Sequence, residues 1–242
     1  MNWSLFYIIL LFFFLGGIGI YFAGKKQNST ERKKNRIKYI TYFFIVIFLY
    51  GCICFIPNIF PWVCLLIVFA GLIELVRIQR NNPKNSIVFY LILWMYALVS
   101  VGFYFFSCLS QSVLLYTLST VCTFDAFCQI AGQLFGKHKI CPLISPNKTY
   151  EGLYGGLFMS VCTFFITGKI LGFSRLEAIM LGLGICLFSL AGDLSASYIK
   201  RMYKVKDFSS ALSEHGGFLD RFDSFIVAGT FIYLVNLFFK IS

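Results

Sequence analysis

Charge is scarce in this sequence. Only 13% of its 242 residues are Asp, Glu, Lys or Arg, about half the share found in soluble domains. The acidic side supplies just 10 of these residues against 21 Lys and Arg. A chain so short of charge cannot clothe a water-facing surface, which excludes an ordinary soluble enzyme. Histidine is scarcer still, with 2 residues, and none of the 9 cysteines stands in CxxC spacing. The common zinc patterns are therefore excluded, and the cysteines, mostly inside apolar stretches, read as small packing residues. No Lys or Arg precedes the first apolar run at Leu5 and no small-x-small cleavage site follows Phe22; the first helix is read as retained, not as a cleaved leader. Repeats of fixed period are absent, and so are long polar segments between the apolar ones.

What is abundant is apolar: 59% of the residues, with aromatics alone at 19%. Runs near the length of about 20 residues that crosses a bilayer as helix recur from end to end. They lie near Leu5 to Phe22, Ile37 to Ile56, Ile59 to Val76, Ile87 to Phe106, Leu109 to Phe124, Leu153 to Leu171, Ala178 to Ser197 and Phe222 to Phe239. The expectation is an all-α polytopic membrane protein of about eight transmembrane helices, forming a single membrane domain over residues 1–242. The fifth pattern runs on past Asp125 to Phe135 and is open to reading as one longer helix.

The positive charges are distributed unevenly. Lys25 to Lys38, Arg77 to Lys84, Lys137 to Lys148 and Lys200 to Arg221 lie in alternate loops, whereas the intervening loops hold only Lys169 and Arg175. Loops rich in Lys and Arg stay on the cytoplasmic side, so these alternate loops are expected there. The net charge of +11 then describes one basic face suited to anionic headgroups and a polyphosphate nucleotide. The run from Lys25 to Lys38 reads as a solvated topology signal.

Most of the carboxylates, Asp125, Glu151, Asp193, Asp207, Glu214, Asp220 and Asp223, fall in or beside two of those basic loops. A carboxylate near a bilayer is costly and usually faces a polar cavity, a metal or a charged partner. The others have local explanations: Glu31 sits among lysines, Glu74 can pair with Arg77 at i+3, and Glu177 stands in the first turn of a helix. On a continuous helix Asp193, Ser197, Lys200 and Lys204 share one face and form a polar stripe. Asp220 and Asp223, at i and i+3 on the opening turns of the last helix, suit a hard divalent cation such as Mg²⁺ or, more simply, the helix dipole. Neither Asp193 nor Asp220 has an evident structural partner nearby in sequence. Gly16-Gly17 and Gly155-Gly156 read as helix-packing pairs, while Gly216-Gly217 would let backbone approach a phosphate.

The run Ser197-x-x-Lys200-Arg201, then Lys206-Asp207-Phe208-Ser209, Leu212 and His215-Gly216-Gly217-x-x-Asp220-Arg221-x-Asp223 resembles the signature of phosphatidate cytidylyltransferases. Ser145-Pro146-Asn147-Lys148-Thr149-Tyr150-Glu151-Gly152 is similar to a second family motif, and a weaker match runs from Asp125 through Gly132 to Phe135-Gly136-Lys137. The departures are Ala126 to Gln129 after the first aspartate, Tyr150 for a tryptophan, and Ser213-Glu214 where Pro-Gly often stands; they touch no acidic or basic position of the signature. The matching residues fall between Asp125 and Asp223, so residues 109–242 are expected to carry the catalytic helices and motif loops, with 1–108 as N-terminal helices.

The resemblance implies attack of a phosphatidate phosphate on the α-phosphorus of CTP, giving CDP-diacylglycerol and pyrophosphate at a cytoplasm-facing site. A phosphate monoester arrives already ionised, so the difficulty is electrostatic and is met by a cation and by Lys/Arg clamps. The resemblance implies Asp193, Asp220 and Asp223 as ligands of Mg²⁺, with a second cation left open. It also implies catalytic roles for Lys200 and Arg221, and substrate contacts for Asp125, Ser145, Lys148, Arg201, Lys206, Asp207, His215, Gly216 and Gly217. His215 reads equally as a phosphate contact or as a residue capping the glycine turn, and His138 reads as an ordinary loop residue. The expected partners are CTP, phosphatidic acid and the lipid bilayer, with no nucleic acid; a homodimer is left open. The alternatives are another lipid phosphate, such as an isoprenoid ether lipid, as CMP acceptor, and a transporter. Against the latter, no Gly/Pro-broken pair of half-helices is evident and the charge lies at one margin.

Overall fold

The computed structural model describes residues 3–24, 29–209 and 216–240, and most of this backbone is helical. The helices are α1 (Trp3–Gly24), α2 (Ser29–Phe55), α3 (Phe60–Asn81), α4 (Ser86–Ser107), α5 (Gln111–Phe135), α6 (Tyr150–Leu171), α7 (Arg175–Met202) and α8 (Leu219–Phe239). Seven of them, α2 to α8, contain stretches long and apolar enough to cross a membrane, and α1 carries a shorter apolar stretch at Leu10–Phe22. The chain is a multi-pass membrane protein whose helices satisfy their own backbone groups, as a bilayer requires.

Each apolar window of the sequence coincides with one helix, but several helices run on into polar sequence. α2 starts at Ser29, so the stretch ending at Lys38 is helix and not loop. α5 continues unbroken through Asp125 to Phe135, and α7 continues to Met202. There the polar stripe ends one residue short of expectation: Lys204 lies beyond the helix with φ of 56° and leaves the face shared by Asp193, Ser197 and Lys200.

Between α5 and α6 the chain forms a small antiparallel hairpin, β1 (Lys139–Cys141) and β2 (Ser145–Thr149), which the helical reading of the sequence does not contain. Pro146 is tolerated in β2 because a two-stranded ribbon leaves each strand with one unpaired edge. Glu151 staples the base of the hairpin. Its carboxylate accepts the N–H of Lys137 at 3.0 Å, the N–H of His138 at 3.2 Å and a 2.6 Å contact from His138 Nδ1. Thr149 then caps α6, its Oγ1 accepting from Gly152 N–H at 3.1 Å. Ser174 and Glu177 form a reciprocal capping box at the start of α7, which fulfils the first-turn reading of Glu177.

α5 is the most enclosed span and packs chiefly against α6, while α7 packs chiefly against α8. Gly155 and Gly156 allow the first of these contacts: a Cβ on Gly155 would strike the Ala131 methyl, and one on Gly156 the Cys128 sulfur. Lipid tails are as apolar as leucine, so this close fit and hydrogen bonds, more than water exclusion, join the helices. Phe103 and Phe106 of α4 meet Phe225 of α8 edge-on, at centroid distances of 5.4 and 5.8 Å. On the outside Trp62, Leu66, Trp94 and Phe158 are all more than 60% exposed, presenting apolar surface to the bilayer.

Candidate active site

The hairpin, parts of three helices and the segment after α7 meet around one cavity of about 410 Å³. α5 supplies Asp125, β2 supplies Ser145 and Lys148, α7 supplies Asp193 and Lys200, and α8 supplies Asp220, Arg221 and Asp223; Asp207 completes the polar wall. α1 and α2 also line the cavity and add apolar surface through Phe12, Phe13, Gly16 and Val46. Asn35 and Lys38, from the basic run assigned above to topology alone, reach the same cavity because α2 begins early enough to carry them there.

Two ion pairs organise the polar wall. Lys148 Nζ lies 2.5 Å from Asp193 Oδ2, joining the hairpin to α7. Lys200 Nζ lies 2.6 Å from Asp220 Oδ1, joining α7 to α8, and also sits 5.4 Å from the centroid of the Phe208 ring. Asp193 and Asp220 thus do have partners, which come from distant sequence. Asp193 Oδ1 is 3.4 Å from Ser197 Oγ, one turn along the expected stripe. Asp220 Oδ2 accepts the N–H of Phe208 at 2.9 Å and of Gly217 at 2.8 Å. Asp125 accepts from Ser189 Oγ at 3.0 Å, and Asp223, 9% exposed, accepts from the Ser224 N–H at 2.7 Å.

The glycine turn is crowded by carboxylates. Gly216 has φ of 81°, in the left-handed region that favours glycine, and a Cβ there would press on the carboxylates of Asp220 and Asp207. A Cβ on Gly217 would collide with both carboxylate oxygens of Glu74. In this structure the turn makes room for carboxylates.

Other anticipated residues fall elsewhere. Arg201 is exposed and donates from Nε to Ile144 O and from Nη1 to Val205 O, both at 3.2 Å, pinning the end of α7 to the hairpin turn. Lys206 lines a second, more open cleft with Arg77, Asn81, Asn82, Ser209 and Gly216, and Asp207 borders both cavities. His215 lies outside the described residues. Glu74 was missed: it does not form the local pair expected with Arg77 but turns inward against α8, and its only signal in the sequence is a carboxylate inside an apolar span.

Among the described residues no three His, Cys, Asp or Glu side chains are grouped tightly enough to enclose a metal ion as they stand. Asp125, Asp193 and Asp223 nevertheless line one cavity. All of these donors are carboxylate oxygens, the set that suits a hard divalent cation and not a thiophilic one. Two of the carboxylates implied by the motif, Asp193 and Asp220, are currently answered by ammonium groups.

Residues 110–239 match the model of the cytidylyltransferase family. Over 234 residues, 96% of this chain and 82% of its relative, the sequence is 30% identical to a phosphatidate cytidylyltransferase of Aquifex aeolicus (strain VF5). The chain belongs to the cytidylyltransferase family. Proteins of the same name from Staphylococcus aureus (strain COL) and Staphylococcus haemolyticus (strain JCSC1435) are each 42% identical over 135 residues, 54% of this chain and 52% of theirs. The family match includes the cavity residues of α5, the hairpin, α7 and α8 and stops short of α1 and α2, most of which the Aquifex alignment takes in.

Proposed function

We propose that this chain is a phosphatidate cytidylyltransferase whose reaction occupies the cavity between the hairpin, α5, α7 and α8, on the cytoplasmic side of the membrane. A phosphate oxygen of phosphatidate attacks the α-phosphorus of CTP. The new phosphorus–oxygen bond forms as the bond from the α-phosphorus to the bridging oxygen breaks, giving CDP-diacylglycerol and pyrophosphate. The observation that carries the reading is the composition of one cavity. Lys148, Lys200 and Arg221 line it together with Asp193, Asp220 and Asp223, and so do the apolar Phe12, Phe13 and Val46. A lipid phosphate needs both environments within a single molecule's reach.

In this reading Lys148 and Arg221 gather phosphate oxygens of the two anionic substrates, and Lys200, anchored by Asp220, holds positive charge where negative charge accumulates during transfer. Asp193, Asp220 and Asp223 would hold Mg²⁺, which when bound offsets phosphate charge and orients the nucleotide. Ser145 and Asp207 border the same space and are assigned substrate contacts, as is Asp125 through its place beside Asp193. Arg201, tied to the hairpin backbone, serves by holding that hairpin against α7. The sidedness rests on the Lys- and Arg-rich loops, which such proteins keep in the compartment that holds CTP.

The test is transfer of label from [α-³²P]CTP by the purified protein in mixed micelles with Mg²⁺. Phosphatidate and an isoprenoid ether-lipid phosphate are offered separately. Labelled CDP-diacylglycerol with stoichiometric pyrophosphate is expected from phosphatidate. Transfer only to the ether lipid would change the acceptor, and transfer to neither would overturn the proposed activity.

A further inference from the structure

Glu74 stands within α3, an apolar span, and is 4% exposed. A carboxylate in such a place is costly unless several donors answer it. Its Oε1 accepts from Ser209 Oγ at 2.5 Å and from the Phe218 N–H at 2.9 Å, and its Oε2 accepts from the Leu219 N–H at 2.9 Å. The two amides open α8, whose N-cap residue, Phe218, provides no side-chain cap. Helix-opening N–H groups have no partner within their own helix and carry the positive end of its dipole. Here a carboxylate from another span satisfies them. Gly217 is the complement, since any larger residue would displace both Glu74 oxygens.

Glu74 does not line the cavity, yet the turn it holds carries Asp220, Arg221 and Asp223. From this geometry we propose that Glu74 is a positioning residue for CMP transfer, fixing the height and rotation of the first turn of α8 so that its acidic and basic side chains meet Lys200 and the cavity. The inference rests on the transfer reaction proposed above. Ser209 extends the hold to the segment whose Phe208 N–H binds Asp220, so one carboxylate braces both strands of backbone that surround the Lys200–Asp220 pair.

The experiment compares full-length wild type, Glu74→Gln and Gly217→Ala in detergent, reading kcat, KM for CTP and phosphatidate, melting temperature and amide hydrogen exchange. Glutamine keeps the length but turns an NH₂ group towards N–H donors. The expected result is a kcat lower by about 10–100-fold, the usual effect of removing a residue that orients a ligand from behind. KM should stay essentially unchanged, and faster exchange should be confined to residues 216–224. Wild-type kcat, or exchange rising evenly across all helices with the melting temperature, would overturn the proposal. If Glu74→Gln fails to fold, Gly217→Ala carries the test, because it pushes the carboxylate off the cap without removing its charge; an unchanged kcat there overturns the proposal equally. A wild type inactive on every lipid phosphate would instead remove the transfer reading, while the exchange data would still judge the hold of Glu74 on α8.

Discussion

Lys148 and Asp193 form a 2.5 Å ion pair between a β-strand and a transmembrane helix, with side chains 19% and 37% exposed. At that exposure the pair contributes about 0–1 kcal/mol and is readily exchanged. An ammonium and a divalent cation compete for the same carboxylate. Lys148→Met is therefore expected to lower the Mg²⁺ concentration for half-maximal turnover by up to about fivefold, the equivalent of about 1 kcal/mol, while kcat falls because a phosphate-binding charge is gone. A Mg²⁺ titration of initial rates for the variant and wild type checks both signs together; a weaker requirement paired with undiminished kcat would mean Lys148 does not bind substrate.

The basic run in the first turns of α2 separates into two roles. Lys38 lines the cavity, whereas Lys33 is exposed on the same helix. Lys38→Ala should raise KM for the lipid phosphate by about tenfold, the loss of one charge-assisted hydrogen bond of about 1.5 kcal/mol, with Lys33→Ala at the wild-type value. Equal shifts in both variants would assign the effect to surface charge attracting an anionic headgroup.

Much of this arrangement is legible in the sequence for a physical reason: a bilayer forces apolar runs of fixed length and makes each carboxylate in them conspicuous. Asp193 and Asp223 stand out on that ground alone. Their partners do not, because Lys148 approaches Asp193 through a hairpin whose three-residue strand Lys139–Cys141 is too short to show alternation. Lys38 is hidden by its charged neighbours, which disguise the start of α2. Glu74 is hidden differently: Arg77 at i+3 offers a sufficient local account, and only the tertiary fold brings the start of α8 against it.

Sidedness is directly measurable. Arg201 donates to Ile144 O, so the hairpin turn and the end of α7 are joined and must share a face of the membrane. In a background lacking the 9 native cysteines, Leu143→Cys, at a position 92% exposed, and Lys206→Cys should both react with an impermeant thiol reagent only from the cytoplasmic side. Labelling of the two from opposite sides would break the composite cavity.

The two ion pairs predict opposite balances between activity and stability. Lys200 and Asp220 have side chains only 11% and 6% exposed, and Asp220 also receives two backbone N–H groups. Asp220→Asn keeps the shape but leaves a buried ammonium without its anion, at a cost of about 3–5 kcal/mol, so it should lose both turnover and many degrees of melting temperature. Asp193→Asn removes only a partly exposed pair, at about 0–1 kcal/mol, and relieves repulsion with Asp125 and Asp223. It should melt near the wild type yet lose turnover by orders of magnitude, since an amide cannot replace an anionic ligand of a hard cation. The measurements are labelled CMP transfer across a Mg²⁺ series and melting temperature in Mg²⁺-free buffer, run on the same preparations. Should Asp193→Asn keep wild-type turnover but melt early, its carboxylate would be a structural partner of Lys148, and the cation site would have to be drawn without it.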